Sequence, residues 1–294
     1  MPGRDIPLVH KRILAWYDDH RRALPWRDPS AEPWAVMVSE VMLQQTQVAR
    51  VLPVYDAWMR RWPRPSALAA EPAGEAVRMW GRLGYPRRAL RLHAAAVAVD
   101  AEYDGIVPRT YDGLRALPGV GDYTANAVLA FAYRQRAVVL DTNVRRVHGR
   151  VFGGVPCPPR AVAAAERRTA AAVLPDEAET AARWSVAVME LGALVCTARS
   201  PMCAVCPVAD ACSWRAAGYP GQAGRVRRGQ SYAGTDRQCR GRILGVLRDS
   251  DDPVSQESVA AVWDDADQRS RALASLIADG LAVERPDGLL SLPS

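Results

Sequence analysis

Apolar residues recur every three to four positions along most of this chain, which is the period of amphipathic α-helices. Prolines alternate with alanine clusters and mark places where one helix ends before the next begins. The pattern predicts helices over residues 34–43, 66–80, 87–103, 111–116, 122–132, 144–151 and 176–195. Thr46 is placed to cap the helix that follows it. The predicted fold class is therefore mainly α.

The C-terminal part of the chain follows a different pattern. Residues 216–235 are rich in Gly, Ser and Arg, which predicts a linker. Beyond it, the sequence predicts short helices over residues 240–248, 256–263 and 267–279, and then apolar runs over 281–284 and 289–292. The four residues 285–288, Arg-Pro-Asp-Gly, form a strong hairpin-turn sequence between those runs. Three helices and a hairpin predict a small winged-helix-like α+β domain over residues 236–294.

Positive charge is concentrated in the larger, N-terminal part of the chain. The formal net charge is +6, but residues 236–294 hold seven Arg against eleven Asp and Glu, a net −4, which leaves +10 for residues 1–235. The larger part is therefore expected to bind a polyanion, whereas the acidity of residues 236–294 argues against simple phosphate binding there. Lys11 is the only lysine.

Four cysteines form a compact C-x6-C-x2-C-x5-C set after the helix over 176–195: Cys196, Cys203, Cys206 and Cys212. Zinc, an iron–sulfur cluster and disulfides are the candidates for such a set. Structural zinc sites more often use two separate C-x2-C pairs, whereas here a single C-x2-C lies between wider gaps and is followed by Pro207. The spacing favours a 4Fe–4S cluster.

Two further features indicate chemistry. The segment Leu-Pro-Gly-Val-Gly, which includes Gly119, Val120 and Gly121, lies between two predicted helices. Such a turn points backbone amides at an anion, as in a helix-hairpin-helix that grips DNA phosphate, although an ordinary turn between helices is the alternative. Asp141 follows a short apolar run and precedes a helix, so it is a predicted N-cap whose carboxylate could also face a developing cation.

These motifs occur together with residues 39–48, Ser-Glu-Val-Met-Leu-Gln-Gln-Thr-Gln-Val, in an order and spacing that resemble MutY-type adenine DNA glycosylases. That family belongs to the helix-hairpin-helix superfamily of endonuclease III. The resemblance covers about residues 22–215. It implies an iron–sulfur cluster domain over residues 1–28 and 137–215 and a six-helix barrel domain over residues 29–136, followed by the linker and the winged-helix-like domain.

The resemblance also implies roles for two carboxylates and their neighbours. Glu40 matches the acid that protonates adenine at N7, and Asp141 matches the group that stabilises the oxocarbenium ion. Asn143 is similar to a family residue that orients Asp141. Glu40 lies among apolar residues, where a half-buried carboxyl with a raised pKa is expected.

Tyr123 occupies the position of the nucleophilic lysine of endonuclease III-like relatives, and Lys11 is far away in the sequence. The resemblance therefore implies a monofunctional glycosylase that leaves an abasic site.

The flipped adenine and the strand opposite it would be contacted by further residues that the resemblance implies. Gln45 would enter the base stack, Thr46 would contact the opposite base, and Leu83 and Tyr85 would hold or wedge the opposite strand. Trp26 and Arg27 match a family segment near the adenine pocket. Each of these side chains has an alternative role in the core or in a loop.

Two departures from the family pattern concern recognition. Val186 stands where many relatives have Gln or Glu, and valine cannot hydrogen-bond a base. The segment over residues 236–294 is too short to contain the whole Nudix-like domain of the family. Recognition of 8-oxoguanine is therefore expected to rest mainly on the catalytic domain or to be weaker.

The expected partner is double-stranded DNA that contains an adenine mismatch, bound by a monomer. Residues 1–12 lack the apolar stretch of a secretion signal, and no run reaches the length of a membrane span. We expect a bacterial cytoplasmic protein, associated with the nucleoid through DNA and not with membranes. The alternatives are an endonuclease III-like glycosylase for oxidised pyrimidines and a non-catalytic iron–sulfur DNA-binding regulator.

Overall fold

Helices form most of the regular structure of the computed structural model, which describes residues 5–159, 161–221 and 232–294. Up to residue 131 the helices are α1 (Ile6–His20), α2 (Pro33–Leu43), α3 (Val48–Arg61), α4 (Pro65–Ala69), α5 (Ala73–Trp80), α6 (Arg87–Glu102), α7 (Tyr111–Ala116) and α8 (Asp122–Phe131). After it they are α9 (Thr142–Val151), α10 (Ala164–Ala172), α11 (Ala178–Leu194), α12 (Ser213–Ala216), α13 (Asp236–Asp249), α14 (Gln256–Ala260) and α15 (Ala266–Ala278). The mainly helical fold class is confirmed.

Two local predictions about helix ends were wrong. The single helix predicted over residues 66–80 is two helices, α4 and α5, because Pro72 lacks an N–H group and disfavours helical geometry in the residue before it. The N-cap of α3 is Gln47, not Thr46. The Thr46 hydroxyl instead donates to the carbonyl oxygen of Gln44, at 3.3 Å.

The described residues divide into two compact units that differ from the predicted domains in their boundaries. The first unit draws on Met1–Val36, Arg109–Asp112 and Val120–Val226, and the second on Met37–Pro108, Gly113–Gly119 and Arg227–Ser294. The domain boundaries proposed from the sequence stay predictions. Residues 222–231 of the predicted linker lie outside the described residues.

The core of the first unit lies between α1, α9 and α11. Ile13 of α1, Val147 of α9 and Leu191 of α11 are buried in one apolar cluster with Trp184. The spacing of apolar residues did predict α9 and α11, whereas α1 was not predicted. Asp5 caps α1 by accepting a hydrogen bond from the amide of Leu8, at 3.0 Å.

Three tryptophans organise the core of the second unit. The ring of Trp58 on α3 meets Trp62 and Trp80 edge to face, with centroids 4.7 and 5.8 Å away. Helix α6 packs on α4 and α5 beside this cluster, with Leu92 buried. This packing fixes both ends of residues 81–86, the segment between α5 and α6.

The C-terminal part of the second unit contains the predicted hairpin. Strands β1 (Val283–Glu284) and β2 (Leu290–Ser291) pair antiparallel, and the amide of Gly288 closes the turn on the carbonyl of Arg285, at 2.9 Å. Helices α13, α14 and α15 precede it, and Val254 makes a further bridge to Leu290. Within the described ranges, no helix is both long enough and apolar enough to cross a bilayer.

We predict that Gly74→Ala destabilises the protein. An added Cβ would lie 2.5 Å from the carbonyl oxygen of Pro293 and 2.8 Å from Cβ of Leu292, so the backbones would have to separate. The expected loss is roughly 1–3 kcal/mol of unfolding free energy, measured by chemical denaturation. Gly245→Ala is the matched control, because an added Cβ there meets nothing within 4 Å and gains helix propensity. Equal stability of both variants would contradict the expected clash.

Candidate active site

Asp141 is held at the N-terminus of α9, as the sequence predicted. Its Oδ1 accepts a hydrogen bond from the amide of Val144 at 2.6 Å, and its Oδ2 accepts one from the side-chain amide of Asn143 at 2.8 Å. Both carboxylate oxygens therefore have a fixed donor, and the group has one orientation. The side chain of Asp141 is half-buried.

Burial raises the pKa of the Asp141 carboxyl above its ordinary value. The hydrogen bonds from Val144 and Asn143 act in the opposite direction but do not cancel it. An ionised carboxylate in this place has lost part of its hydration. It would therefore interact strongly with a positive charge that forms nearby.

Arg146 connects the N-terminus of α9 to the end of α11 and to the cysteine loop. Its guanidinium donates to Oδ1 of Asn143, to the carbonyl of Gly192 and to the carbonyl of Cys196, each at 2.7 Å. Because Asn143 in turn donates to Asp141, the orientation of the carboxylate depends on this set of contacts. No pattern in the sequence pointed to Arg146.

The four thiols of the cysteine loop line one cavity of the first unit, together with Trp214 and Arg150: Cys196, Cys203, Cys206 and Cys212. Among the described residues, no three His, Cys, Asp or Glu side chains gather closely enough around one point to bind a single metal ion. All four cysteines nevertheless line the same cavity. A 4Fe–4S cluster suits that arrangement, because each thiolate binds a different iron.

Arg150 supports the ligand loop. Its guanidinium donates to Sγ of Cys196 at 3.4 Å and to the carbonyls of Thr197 and Ala198 at 2.7 and 3.1 Å, and it lies over the ring of Trp214. Burial raises the pKa of the Cys206 thiol to about 11, so iron binding would release its proton. The four cysteines would hold the cluster, which supplies a rigid cross-link within the loop.

A buried network of ion pairs lies at the Trp26–Arg27 turn. The sequence patterns did not predict it. The carboxylate of Glu190 is fully buried and accepts from Arg22 at 2.6 Å and from Arg27 at 2.9 Å. Burial raises the pKa of Glu190, but the hydrogen bonds from the two arginines prevail and hold it at about 2. Arg27 is thus fixed on one side, and Trp26 beside it is buried.

Glu40 lies on α2 in the second unit and is more deeply buried than expected. It is 4% exposed, and its neighbours Ser39 and Met42 are fully buried. The structure thus places this carboxyl away from bulk water. The joint action of Glu40 and Asp141 on one nucleotide stays a prediction.

Arg88 hydrogen-bonds to two segments of the second unit that contain predicted DNA-contacting residues. It is buried, and burial lowers its pKa to about 10, so the guanidinium stays charged at neutral pH. Its partners lie at 2.6–3.0 Å and are the carbonyls of Val41, Met42, Gln44 and Gly84 and the hydroxyl of Thr46. One cation therefore joins the end of α2 to the segment before α6.

The candidate DNA-contacting side chains differ in their exposure. Gln45 and Tyr85 are exposed and have positive φ angles of 56° and 49°, which non-glycine residues rarely adopt. Thr46 and Leu83 are buried, and the Thr46 hydroxyl donates to the carbonyl of Leu83 at 3.4 Å. Gln45 and Tyr85 are therefore the two that the fold presents to solvent.

The predicted helix-hairpin-helix is formed by α7, a turn over residues 117–121 and α8. Gly119 has a φ of 78° and lies against Arg91, where an added Cβ would meet the arginine side chain at 2.7 Å. Val120 is buried, and Gly121 is the exposed N-cap of α8. Tyr123 is in the first turn of α8 and is half-buried.

The helix-hairpin-helix and the four-thiol loop define the class of this protein. The family model of the HhH-GPD superfamily of base excision DNA repair proteins matches residues 38–169. The model of the iron–sulfur binding domain of endonuclease III matches residues 196–212. The protein is thus an iron–sulfur base excision DNA repair protein with a 4Fe–4S cofactor.

Comparison with individual relatives identifies the family within this class. The chain is 52% identical to the adenine DNA glycosylase of Mycobacterium tuberculosis over 96% of this chain and 92% of that protein. It is also 52% identical to the adenine DNA glycosylase of Mycolicibacterium smegmatis, over 95% and 94%. A solved thermostable thymine-DNA glycosylase aligns with a TM-score of 0.64 at 26% identity, over 72% of this chain and 97% of that one. The chain belongs to the adenine DNA glycosylase family.

We predict that Arg88→Met destabilises the second unit even though it removes a buried charge. Methionine fills similar space but donates no hydrogen bond to the carbonyls of Val41 and Met42 at the end of α2. The expected loss is about 3 kcal/mol of unfolding free energy, measured by denaturant titration. Arg87→Met, at the neighbouring exposed position, is expected to cost at most about 1 kcal/mol. If Arg88→Met were as stable as Arg87→Met, the carbonyl contacts would carry no net stability.

Proposed function

We propose that this protein hydrolyses the N-glycosidic bond of adenine mispaired with 8-oxoguanine or guanine in duplex DNA, and that it acts as a monomer in the bacterial cytoplasm, where it associates with the nucleoid. The observation that carries the proposal is the fixed, half-buried carboxylate of Asp141 in a chain that is 52% identical to adenine DNA glycosylases over nearly its whole length. The exposed Gln45 and Tyr85 support contact with a mismatch rather than with the phosphate backbone alone.

The proposed chemistry divides the work between two carboxyl groups. Glu40 in its protonated form would donate to N7 of the extruded adenine, which makes the base a better leaving group. Asp141 would stay ionised and stabilise the oxocarbenium ion of the sugar. Asn143 and the amide of Val144 would hold that carboxylate in place as the charge develops, and water would complete the hydrolysis.

Adenine would be recognised without a hydrogen bond from position 186. Val186 packs against the apolar core of the first unit. Arg27 and Trp26 are the remaining candidates for contact with the base in that unit, and Glu190 fixes the guanidinium of Arg27.

The reaction would stop at the abasic site. A lyase reaction needs an amine that attacks the sugar, whereas Tyr123 is a phenol and the only lysine, Lys11, lies exposed on α1. Strand cleavage would therefore require separate treatment with alkali.

A pyrimidine-specific glycosylase is the second candidate, because a thymine-DNA glycosylase shares the fold with a TM-score of 0.64. A duplex panel separates the two candidates. Release of thymine or of thymine glycol, without release of adenine from mismatches, would favour the pyrimidine enzyme.

We predict that Asp141→Asn and Glu40→Gln each reduce the single-turnover rate of adenine release by about 10³-fold or more. Binding to mismatched duplex is expected to be retained, because neither change removes a predicted DNA contact. Asp56→Asn, at an exposed position on α3, is the control and should be fully active. Full activity of either active-site variant would refute the role assigned to that residue.

The pH dependence offers an independent test of Asp141. Only the ionised form stabilises the cation, so the rate should fall as the pH decreases through a pKa that burial has raised above the ordinary aspartate value. Asn143→Ala removes a hydrogen bond that lowers this pKa, so the acid limb of the single-turnover profile should move to higher pH. Thr142→Ala, at the exposed neighbouring position, should leave the profile unchanged. If the acid limb of the profile does not move in Asn143→Ala, the group that titrates there is not Asp141.

A further inference from the structure

Residues 81–86, here called the recognition loop, are held by hydrogen bonds and an ion pair to the C-terminal helices of the same unit. Arg248 at the end of α13 donates a hydrogen bond to the carbonyl of Gly81, the first residue of the loop. Gly81 is also the C-cap of α5 and has a φ of 54°. The α13 arginine therefore satisfies a helix-terminal carbonyl that α5 itself cannot pair.

The contact between α5 and α13 is reciprocal. Arg78 on α5 donates to the carbonyl of Arg248 and to that of Ser250, the latter at 2.7 Å. Each helix thus ends with its carbonyls facing an arginine of the other helix, which is favourable both for hydrogen bonding and for the helix dipoles. The Arg248 side chain is partly buried at this contact, and this burial lowers its pKa.

A second link lies at the other end of the recognition loop. Arg87, the first residue of α6, pairs with Asp279 at 3.1 Å, and Asp279 is held by Arg240 at 2.6 Å. Both ends of the loop are therefore bonded to residues 236–294. The chain end adds a third contact, because the amide of Gly74 donates to the carbonyl of Pro293 at 2.7 Å.

The charge of the C-terminal segment agrees with a role other than phosphate binding. Its net charge is −4, from seven Arg and eleven Asp and Glu, and two of its contacts described above, those of Arg248 and Asp279, direct charged side chains toward the rest of the unit. The loop that it contacts carries Tyr85, which is 57% exposed at a positive φ. An exposed aromatic on a strained backbone keeps one position only where its surroundings hold the loop.

We infer that residues 236–294 position the recognition loop, with Arg248 as the positioning residue, so that the exposed Tyr85 meets the strand opposite the adenine in a defined geometry. The inference rests on the proposed function for the identity of that strand. It gives the short C-terminal segment a role in selecting the base opposite adenine without contact between the segment and that base.

The test compares Arg248→Met with Arg242→Met in the full-length protein. Methionine at position 248 removes the donor to Gly81 but keeps an apolar stem. Arg242 lies on the same helix and donates to the carbonyl of Val262 within the segment, so its loss leaves the loop contact intact. Amide hydrogen exchange of residues 81–86 is expected to become about tenfold faster in Arg248→Met and to stay unchanged in Arg242→Met.

Selectivity provides the second readout. The ratio of single-turnover adenine release opposite 8-oxoguanine to release opposite thymine should fall about tenfold in Arg248→Met, because small misplacements of a positioning group have large effects on rate. Arg248→Lys restores a donor and should recover part of the ratio. Arg242→Met should keep the wild-type ratio.

Unchanged exchange and an unchanged ratio in Arg248→Met would overturn the inference. So would a loss of melting temperature with an equal loss of both rates in Arg248→Met and Arg248→Lys, since that is the result of general destabilisation. If the wild-type protein releases no adenine from any duplex, the proposed function fails instead, and the exchange measurement still decides whether Arg248 positions the loop.

Discussion

Hydrogen bonds from arginine side chains to backbone carbonyls hold the irregular segments of this protein. Arg88 joins the end of α2 to the recognition loop, Arg146 and Arg150 hold the cysteine loop, and Arg248 holds the end of α5. A guanidinium has five donors in one plane, so a single side chain can satisfy several carbonyls that no helix or strand would pair. In a chain with one lysine, arginine thus acts as an internal cross-link as well as a surface charge.

These cross-links favour a single loop conformation because they are costly to disturb. The cation of Arg88 is buried, and its hydrogen-bond partners are neutral oxygens, so its stability depends on keeping those acceptors in place. Gln45 and Tyr85, on the two segments that Arg88 joins, have positive φ angles that would relax if the segments were free. The strain and the buried cation are therefore parts of one arrangement, which would suit the proposed entry of these two side chains into a DNA duplex.

Local patterns predicted the parts of the fold that depend on local interactions. Periodicity identified α2, α8 and α11, the turn over residues 285–288 predicted the hairpin, and Asp141 was recognised as an N-cap. The prediction of one helix over residues 66–80 was wrong because a single residue, Pro72, interrupts a segment whose apolar pattern is otherwise helical. The four cysteines were found because ligand spacing is local. Contacts such as those of Glu190 with Arg22 and Arg27 join segments that are distant in the chain, and no local pattern contains them.

A signal for those distant contacts was nevertheless present in the sequence. Arg88 lies on the same helix face as Leu92, Ala95 and Val99, and Glu190 lies beside Leu191 in the apolar C-terminal half of α11. A charged residue at a position that periodicity assigns to the core must find partners there, since an isolated buried charge is strongly unfavourable. Such residues therefore mark where distant segments are joined, although the pattern does not name the partner. In this protein they adjoin the recognition loop and the Trp26–Arg27 turn, so the exceptions to the helical pattern lie next to the residues proposed to recognise DNA.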